Sequence, residues 1–298
     1  MSLSISNITK DFRDVRAVDQ LSIDIKAGSM FGFLGPNGAG KTTTLRMILD
    51  IFKPDSGSVT WKGKPISKHP QGTFGYLPEE RGLYPKMRVK EHLIFLGRLN
   101  GLSKYDAVKK TDEMIQRFKL EEYAHKRIEE LSKGNQQKVQ TVSTLLHEPE
   151  ILFLDEPFGG LDPVNTDLLK QMLLEGNEKG QTIVFSSHRM EQVEKLCQDI
   201  CILDHGKLIL SGNLREIKKS MGRQYLRISV EGNENFWQAI PELELVSRTT
   251  DYLEFKLTNN IDTNEILQTA SQAGQVIHFE LVEPTLNQIF VSKVGEVS

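Results

Sequence analysis

The fold of this chain is decided by the segment from residue 30 to residue 42, which reads MFGFLGPNGAGKT. Its first five residues form the short apolar run of a buried strand, and a glycine-rich turn follows directly. From Gly35 to Thr42 the segment matches the pattern Gly-x-x-x-x-Gly-Lys-Ser/Thr in full. Residues 42–50 then have helical periodicity. A strand, this loop and a helix in that order predict an α/β core of the P-loop NTPase type.

The loop has the chemistry of a phosphate site. Its glycines let successive backbone N–H groups turn toward one centre at a helix N-terminus, where anions are stabilised. Lys41 adds a positive charge for the β- and γ-phosphates, and the Thr42 hydroxyl can bind magnesium. The loop residues that we assign to nucleotide binding are Gly35, Pro36, Asn37, Gly38, Ala39, Gly40, Lys41, Thr42 and Thr43.

A pair of carboxylates follows a second apolar strand. Residues 151–154 read as a buried strand, and Asp155 and Glu156 come directly after it. Because α/β sheets bind ligands at the carboxyl ends of their strands, we expect Asp155 to lie beside the metal. Glu156 is placed to polarise an attacking water. Without the phosphate loop the pair would be an ordinary solvated strand end; with the loop it predicts a nucleoside triphosphatase.

The chain reads as two domains. Strand-like and helix-like stretches alternate over residues 1–220, as in an α/β domain, and a mostly helical insertion interrupts them at about 86–147. Within the insertion we predict helices over residues 89–99, 103–118 and 135–147, with Ser103 as an N-cap. Residues 221–298 predict a small α+β accessory domain, with strands near 225–230, 243–246, 252–257 and 276–281 and helices near 263–273 and 285–291.

Three further motifs point to a family. The segment LSKGN, residues 131–135, lies about twenty residues before Asp155; GLD ends at Asp162; and Ser187-His188 follows the next strand. In this order and spacing, residues 1 to about 220 resemble the ATP-binding cassette (ABC) family. The segments LSKGNQQK and, near the C-terminus, EPTLNQIF most resemble the ATPase subunits of bacterial ABC-2-type exporters, of the sodium-extrusion or drug-efflux kind.

The resemblance implies roles for the matching positions. Phe12 is expected to stack on adenine, because stacking needs only a π face. Glu79 stands where most members have a glutamine that approaches the metal or the attacking water. His188 is expected to contact the γ-phosphate and to orient Glu156 and water. The implied catalytic residues are Glu156, His188 and Lys41, and the implied metal ligands are Thr42 and Asp155.

The same resemblance implies that one copy of the chain holds incomplete sites. In this family the signature segment acts on the nucleotide that the partner subunit holds. Here Lys133 replaces the usual glycine and Asn135 the usual glutamine. The expected working unit is a head-to-tail dimer with ATP and Mg²⁺ at the seam. The residues that would act across the seam are Leu131, Ser132, Lys133, Gly134 and Asn135 of the signature and Asp162 of the D-loop.

Composition and charge narrow the classes of protein to which this chain can belong. A net charge of -3 argues against nucleic-acid binding by bulk electrostatics, and lysines 109, 110, 218 and 219 are best interpreted as a solvated helix face. No apolar run approaches the length of a membrane span, and the N-terminus lacks a signal peptide. Cys197 and Cys201 fit free thiols in a reducing compartment. We therefore expect a cytoplasmic protein, and the resemblance implies that it is peripheral on the inner face of the cell membrane.

The partner expected there is a membrane-spanning permease, with residues 81–85 as a docking surface. The alternative is a soluble ABC ATPase that acts on ribosomes or DNA. Translation-factor members usually carry two cassettes, and DNA-repair members a long coiled coil. The sequence has one cassette and no sustained heptads, which favours the transporter.

Overall fold

The computed structural model describes residues 2–80, 82–233, 235–241, 243–257 and 261–295. It divides into two compact units, of which the first ends at Gly212 and the second begins at Asn213. The boundary expected after residue 220 falls within the helix Leu214–Met221. Each unit has a sheet and a hydrophobic core of its own.

The first unit is built on strands and helices that alternate through most of its length. Its strands are β1 (Ser2–Phe12), β2 (Val15–Lys26), β3 (Met30–Leu34), β4 (Ser56–Trp61), β5 (Lys64–Pro65), β6 (Phe74–Leu77), β7 (Ile151–Asp155), β8 (Thr182–Ser187), β9 (Asp199–Asp204) and β10 (Lys207–Asn213). Its helices are α1 (Lys41–Ile48), α2 (Val89–Leu99), α3 (Lys104–Arg117), α4 (Lys133–Leu145), α5 (Pro163–Glu178) and α6 (Met190–Leu196).

A six-stranded sheet in the order β10-β9-β3-β8-β7-β6 forms the centre of this unit. Strand β3 runs parallel to β8 and β9, and β7 runs parallel to β6 and β8. Every residue of β3, β7 and β8 is buried, which explains their continuous apolar runs, since a parallel sheet is covered on both faces. The register sets Leu34 opposite Ser187 and Asp155 opposite Ser186. The carboxyl ends of three neighbouring strands therefore meet at one edge.

A second, antiparallel sheet in the order β2-β1-β4-β5 contributes to the same core. Leu3, Ile5 and Ile23 lie in one buried cluster with Phe31 and Phe153 of the central sheet. Residues 21–25, which alternate between apolar and polar side chains, form the second half of β2. Strands β4 and β5 were not predicted, because SGSVTW and KP lack both a continuous apolar run and a clear alternation.

The helical insertion is confirmed as α2, α3 and α4. These helices enclose a separate apolar cluster that includes Val89, Leu93, Ile115 and Val139. Helix α2 has the predicted bounds, and α4 begins two residues earlier than predicted. Ser103 is the N-cap of α3, as predicted, and its hydroxyl accepts a hydrogen bond from the Asp106 N–H at 3.0 Å. None of the helices within the described ranges has both the length and the apolar character that a bilayer span requires.

The second unit is an α+β fold, as predicted. It contains α7 (Leu214–Met221), β11 (Tyr225–Gly232), β12 (Leu243–Arg248), β13 (Leu253–Leu257), α8 (Thr263–Ala273), β14 (Gly274–Val282) and α9 (Leu286–Gly295). The strands form one antiparallel sheet in the order β12-β13-β11-β14. Ile266 and Ala270 of α8 pack against Leu226, Ile228 and Phe255 of this sheet.

Cys197 and Cys201 are free thiols, as predicted, and both are buried. Burial raises the pKa of each thiol well above its ordinary value, because a thiolate is poorly solvated inside the core. A thiol that stays protonated is a weak nucleophile. Neither residue is therefore a candidate for redox or nucleophilic chemistry.

The buried His92 of α2 predicts a loss of stability in acid. Both ring nitrogens are buried without a hydrogen-bond partner in the described part of the chain, and burial lowers the pKa of His92 to about 4. Because an unfolded histidine titrates near 6.5, the unfolded state binds the extra proton between these values, and stability falls as the pH drops through this window. Between about pH 7 and about pH 5, the free energy of unfolding of wild type should fall by up to about 2 kcal/mol more than that of His92→Phe. Urea unfolding at the two pH values measures this difference.

The exposed His125 offers a control, because His125→Gln should retain the wild-type dependence on pH. A His92→Phe protein with the wild-type acid sensitivity would show that another group is responsible.

Candidate nucleotide-binding site

The loop between β3 and α1 has a backbone that only glycine accommodates at two positions. Gly35 has φ +149° and Gly40 φ +99°. A Cβ atom would lie 2.2 Å from the Leu203 carbonyl oxygen at Gly35 and 2.4 Å from the Ala17 carbonyl oxygen at Gly40. Gly40 is also the N-cap of α1, without a side-chain cap and with no acidic residue in the first turn. The helix N-terminus is thus left to an anion.

Lys41 turns its ammonium group back over this loop. Its Nζ donates hydrogen bonds to the carbonyl oxygens of Gly35 at 2.9 Å and Pro36 at 3.0 Å. Glu156 Oε1 lies 4.0 Å from the same nitrogen. Burial lowers the pKa of Lys41, and the charges of Glu156, Asp155 and Glu79 oppose this shift. A buried cation surrounded by carbonyl and carboxylate oxygens suits a polyanionic ligand.

A cavity of about 230 Å³ lies against the loop. No described atom would meet a Cβ within 4 Å at Gly38, so the loop faces open space there. The lining residues are Ala17, Asn37, Gly38, Gly40, Lys41, Thr42, Thr43, Glu79 and Glu156. Most of the loop residues assigned from the sequence therefore surround one space, while Gly35 and Pro36 contribute the carbonyl oxygens behind it.

Thr42, in the first turn of α1, and Asp155, at the end of β7, are brought together although they lie 113 residues apart in sequence. The Thr42 hydroxyl donates to Asp155 Oδ1 at 3.1 Å, and the Ser186 hydroxyl donates to the same oxygen at 2.5 Å. Asp155 Oδ2 is buried and lacks a hydrogen-bond partner among the described residues. A buried carboxylate oxygen without a partner beside a phosphate-type loop fits a hydrated Mg²⁺, a cation that one or two protein oxygens and the substrate phosphates hold.

The described residues contain no group of three or more His, Cys, Asp or Glu side chains that could hold a metal by themselves. Magnesium does not require such a group, because it retains several waters in nucleotide sites.

Glu156 and His188, which follow β7 and β8, are joined by hydrogen bonds. Glu156 Oε1 accepts hydrogen bonds from the His188 backbone N–H at 2.9 Å and pairs with His188 Nδ1 at 2.8 Å. Ser187 Oγ lies 3.4 Å from the other carboxylate oxygen. The Glu156 backbone has φ +49°, a left-handed conformation that is strained for this residue type. The carboxylate is thus fixed in one orientation at the cavity wall.

Of the two residues outside the loop that the resemblance assigned to ATP binding, Glu79 lines the cavity and Phe12 does not. Glu79 follows β6 and lines the cavity, where it adds a negative charge opposite Lys41. Phe12 ends β1 and lies outside the lining residues. Its ring is 46 % exposed and packs edge-on against Phe52 at 5.7 Å, so one aromatic surface remains accessible.

The signature and D-loop residues cap helices. Ser132 is the N-cap of α4 and accepts a hydrogen bond from the Asn135 N–H at 3.3 Å. Asp162 is the N-cap of α5, and the hydrogen bond that its side chain accepts from the Asn165 N–H lowers the pKa of its carboxyl. Among the described residues that line the cavity, none belongs to the signature. A single copy of the chain therefore forms one wall of the site from the phosphate loop and leaves the signature elsewhere.

A larger cavity, of about 630 Å³, lies at the opposite ends of β7 and β8. Met114, Leu145 and Met172 contribute apolar surface to it, and charged pairs such as Arg117 with Glu175 lie at its margin. Its described lining includes no motif residue, so volume alone does not identify the site of chemistry.

Sequence reasoning did not identify Ser186 or Ala17. Ser186 holds Asp155 through its hydroxyl, and its place in the apolar run of β8 concealed it. Ala17 contributes a backbone oxygen next to Gly40, a contact that no side-chain pattern reveals. The stretch considered for docking begins at Arg81, which lies outside the described residues; within it, Tyr84 is 51 % exposed and packs on His92 and Phe95.

Two family models match the chain. One, described as ABC transporter, covers residues 18–159. The other, described as the C-terminal domain of DrrA1-3-like ATP-binding proteins, covers residues 212–294. The first match lies within the first compact unit, and the second covers most of the second unit.

Relatives match over nearly the whole chain. An uncharacterized ABC transporter ATP-binding protein of Bacillus subtilis, YhaQ, is 48% identical over 99% of both chains. The linearmycin resistance ATP-binding protein LnrL of the same organism is 34% identical over 98% of both chains. The ABC transporter ATP-binding protein NatA, also of Bacillus subtilis, is 35% identical over 73% of this chain and 92% of its own.

Solved structures match the first unit in fold. The ATP-binding subunit of an ABC transporter gives a TM-score of 0.70 at 29% identity, over 74% of this chain and 94% of that chain. A dimeric bacterial ABC transporter cassette gives 0.66 at 25% identity, over 72% of this chain and 99% of that chain.

Replacing Lys41 tests the nucleotide site. Because burial disfavours its charged ammonium in the folded state, Lys41→Met should leave the melting temperature of the ligand-free protein unchanged or raised. The same change should abolish the stabilisation by nucleotide, which for an intact site is about 2.7 kcal/mol at about 100 times Kd. Thermal unfolding with and without ATP measures both effects.

Lys53→Met is the matched control, since that side chain is 75% exposed and lies outside the cavity lining. It should respond to ATP as wild type does, and a Lys41→Met protein with the same response would contradict the assignment.

Proposed function

The chain belongs to the ATP-binding subunits of ABC transporters and is an ATPase, and from this premise we propose that it drives export through a separate membrane-spanning permease. The proposal assigns ATP to the cavity beside the phosphate loop, with Mg²⁺ held at Thr42 and Asp155. It assigns hydrolysis to Glu156 and His188, and coupling to closure of two copies of the chain.

Export is supported by the described relatives. LnrL is named for resistance to linearmycin, and a relative from Burkholderia lata, 36% identical over 70% of both chains, is named for Nod factor export. The C-terminal unit matches a domain named from DrrA1-3-like ATP-binding proteins. LnrL matches across both units, so the shared architecture extends beyond the nucleotide cassette.

The observation that carries the hydrolytic role is the position of the Glu156 carboxylate. Two hydrogen-bond contacts from His188 fix one of its oxygens, and the same oxygen lies 4.0 Å from Lys41 Nζ. A carboxylate held at the cavity wall opposite a phosphate-binding cation can accept a proton from a water that attacks the terminal phosphate.

The residues of the chain divide the work of phosphoryl transfer. The loop N–H groups and Lys41 stabilise the negative charge of the transferred phosphoryl group and the charge that develops on the leaving phosphate in the transition state. Lys41 would exchange its loop carbonyl partners for phosphate oxygens when ATP binds. Glu156 and His188 orient the attacking water in line. Phe12 offers its exposed ring to the adenine base.

Magnesium fits the same arrangement through the Thr42 hydroxyl and the Asp155 carboxylate, whose second oxygen lacks a described partner. When bound there, it would neutralise charge on the β- and γ-phosphates. Ser186 orients the Asp155 carboxylate for this role by donating to its first oxygen. Glu79 adds one more negative charge to the cavity than the glutamine usual in the family.

We infer a head-to-tail dimer from the separation of the site into two parts. Ser132 and Lys133 are exposed at the N-terminus of α4 and do not line the cavity of their own chain. In a dimer this helix end, with Asp162 nearby in sequence, would complete the site of the other copy. The dimeric cassette among the matching structures supports this arrangement. The permease would hold the dimer at the cytoplasmic face of the membrane.

Glu156→Gln tests the mechanism. The amide retains the size and most contacts of the carboxylate but cannot accept the proton of water, so we expect kcat to fall by about a hundredfold to ten thousandfold. ATP affinity should stay near the wild-type value, and the ATP-bound protein should accumulate as a dimer. Steady-state hydrolysis, equilibrium ATP binding and size-exclusion chromatography with ATP measure the three effects.

Glu194→Gln is a suitable control, because it makes the same chemical change in α6, outside the cavity lining. Hydrolysis in Glu156→Gln at the rate of this control would refute the role of Glu156.

Purification from native membranes tests the transporter assignment. Because the proposal requires a permease, the chain should be recovered in a fixed ratio with a protein that has several membrane spans, and Glu156→Gln with ATP should retain that partner. Mass spectrometry of the purified complex identifies it. Recovery with ribosomes in place of a membrane protein would overturn the proposal.

A further inference from the structure

We propose that Gly206, in the turn between β9 and β10, is a positioning residue for ATP binding, and this inference rests on the proposed function. Gly206 does not line the nucleotide cavity. Its backbone instead connects the phosphate loop to the beginning of β2. These are two of the segments that would hold the two ends of ATP.

Two backbone hydrogen bonds make this connection. The Gly206 N–H donates to the Ala39 carbonyl of the phosphate loop at 3.2 Å, and the Gly206 carbonyl accepts from the Asp19 N–H of β2 at 2.8 Å. Gly206 therefore donates a hydrogen bond to the phosphate loop and accepts one from β2. Both bonds join segments distant in sequence, so they constrain the tertiary arrangement of the site.

The beginning of β2 also touches the loop directly. The Ala17 carbonyl oxygen lies where a Cβ on Gly40 would be only 2.4 Å away. A Cβ on Gly206 would lie 2.9 Å from the same oxygen, 3.0 Å from the Ala17 carbonyl carbon and 3.1 Å from the Arg16 carbonyl oxygen. All three atoms are backbone, which cannot move aside as a flexible side chain does. Ala17 is thus enclosed between two glycines, one on each side.

This junction sets the span of the ligand site. Ala17 and Gly40 line the cavity, and the hairpin that leads into Ala17 includes Phe12, paired with Val15. The phosphate loop would hold the triphosphate, whereas the hairpin would hold the base. A side chain at residue 206 would push Ala17 and its hairpin away from the phosphate loop. The distance between the hairpin and the loop would then no longer match the length of ATP. Phosphate binding by the loop alone would persist.

Gly206→Ala tests this inference in the full-length chain. We expect the KM for ATP to rise by about tenfold, because the displaced hairpin would weaken the hold on the base, and a tenfold loss of affinity corresponds to about 1.4 kcal/mol of binding free energy. The value of kcat should stay within about twofold, since Lys41, Glu156 and His188 are untouched. The Kd of tripolyphosphate, which has no base, should stay within about twofold of wild type by calorimetry.

Gly63→Ala is the matched control for backbone strain. Gly63 lies in the turn between β4 and β5 with φ +76°, against φ +78° at Gly206, and a Cβ there would meet no described atom within 4 Å. Both variants therefore introduce alanine at the same left-handed conformation, and only Gly206→Ala adds the contact with Ala17. Gly206→Asn is the second variant, because asparagine tolerates positive φ better while it adds the same Cβ.

A raised KM for ATP in both Gly206 variants, with tripolyphosphate binding and the Gly63→Ala protein unchanged, supports the inference. A KM equal to that of Gly63→Ala overturns it. Equal losses for ATP and tripolyphosphate, or failure of both Gly206 variants to fold, also overturn it, because they show a general structural role. A wild-type protein that neither binds nor hydrolyses ATP refutes the proposed function itself, which separates the two failures.

Discussion

The parallel alignment of β3, β8 and β7 is the constraint on which the site depends. Their register sets Leu34 beside Ser187 and Ser186 beside Asp155, so three chain segments far apart in sequence end at one edge. The contacts of the site then follow from adjacency: Thr42 reaches Asp155, and His188 reaches Glu156. A shift of one residue in any of these strands would turn the terminal side chains to the opposite face and separate these pairs.

The carboxyl ends of the parallel strands also bring three carboxylates close to a single lysine. Lys41 shares the cavity region with Asp155, Glu156 and Glu79, and burial still lowers the pKa of its ammonium. The site therefore has a buried cation that loop carbonyl oxygens and a carboxylate surround. The backbone N–H groups at the N-terminus of α1 are held in place by the helix, and such preorganised donors make electrostatic stabilisation of a polyanion effective in a site shielded from water.

The local sequence pattern predicted those strands and helices whose side chains alternate between buried and exposed positions, or are buried throughout, in a regular way. The apolar run of β3 and the periodicity of α2 gave their bounds, and Ser103 marked a helix start because a cap acts within its own turn. The pattern predicted β4 and β5 poorly, since these strands depend on their partners in the sheet. Ser186 and Gly206 escaped prediction for a related reason: each acts through contacts with residues distant in sequence. The order of the motifs predicted the roles of Glu156 and His188. The hydrogen bond between their side chains could be seen only in the folded structure.

The left-handed backbone of Glu156 bears on how this position can evolve. Glycine or asparagine would adopt φ +49° at lower conformational energy, so random substitution followed by selection for stability alone would favour them. Either change would remove the carboxylate at the cavity wall. The glutamate of this chain therefore keeps its carboxylate at the cavity wall against the local preference of the backbone, at some loss of folding free energy. Among related chains, relaxation of this residue to glycine or asparagine would therefore mark cassettes that bind nucleotide without turning it over.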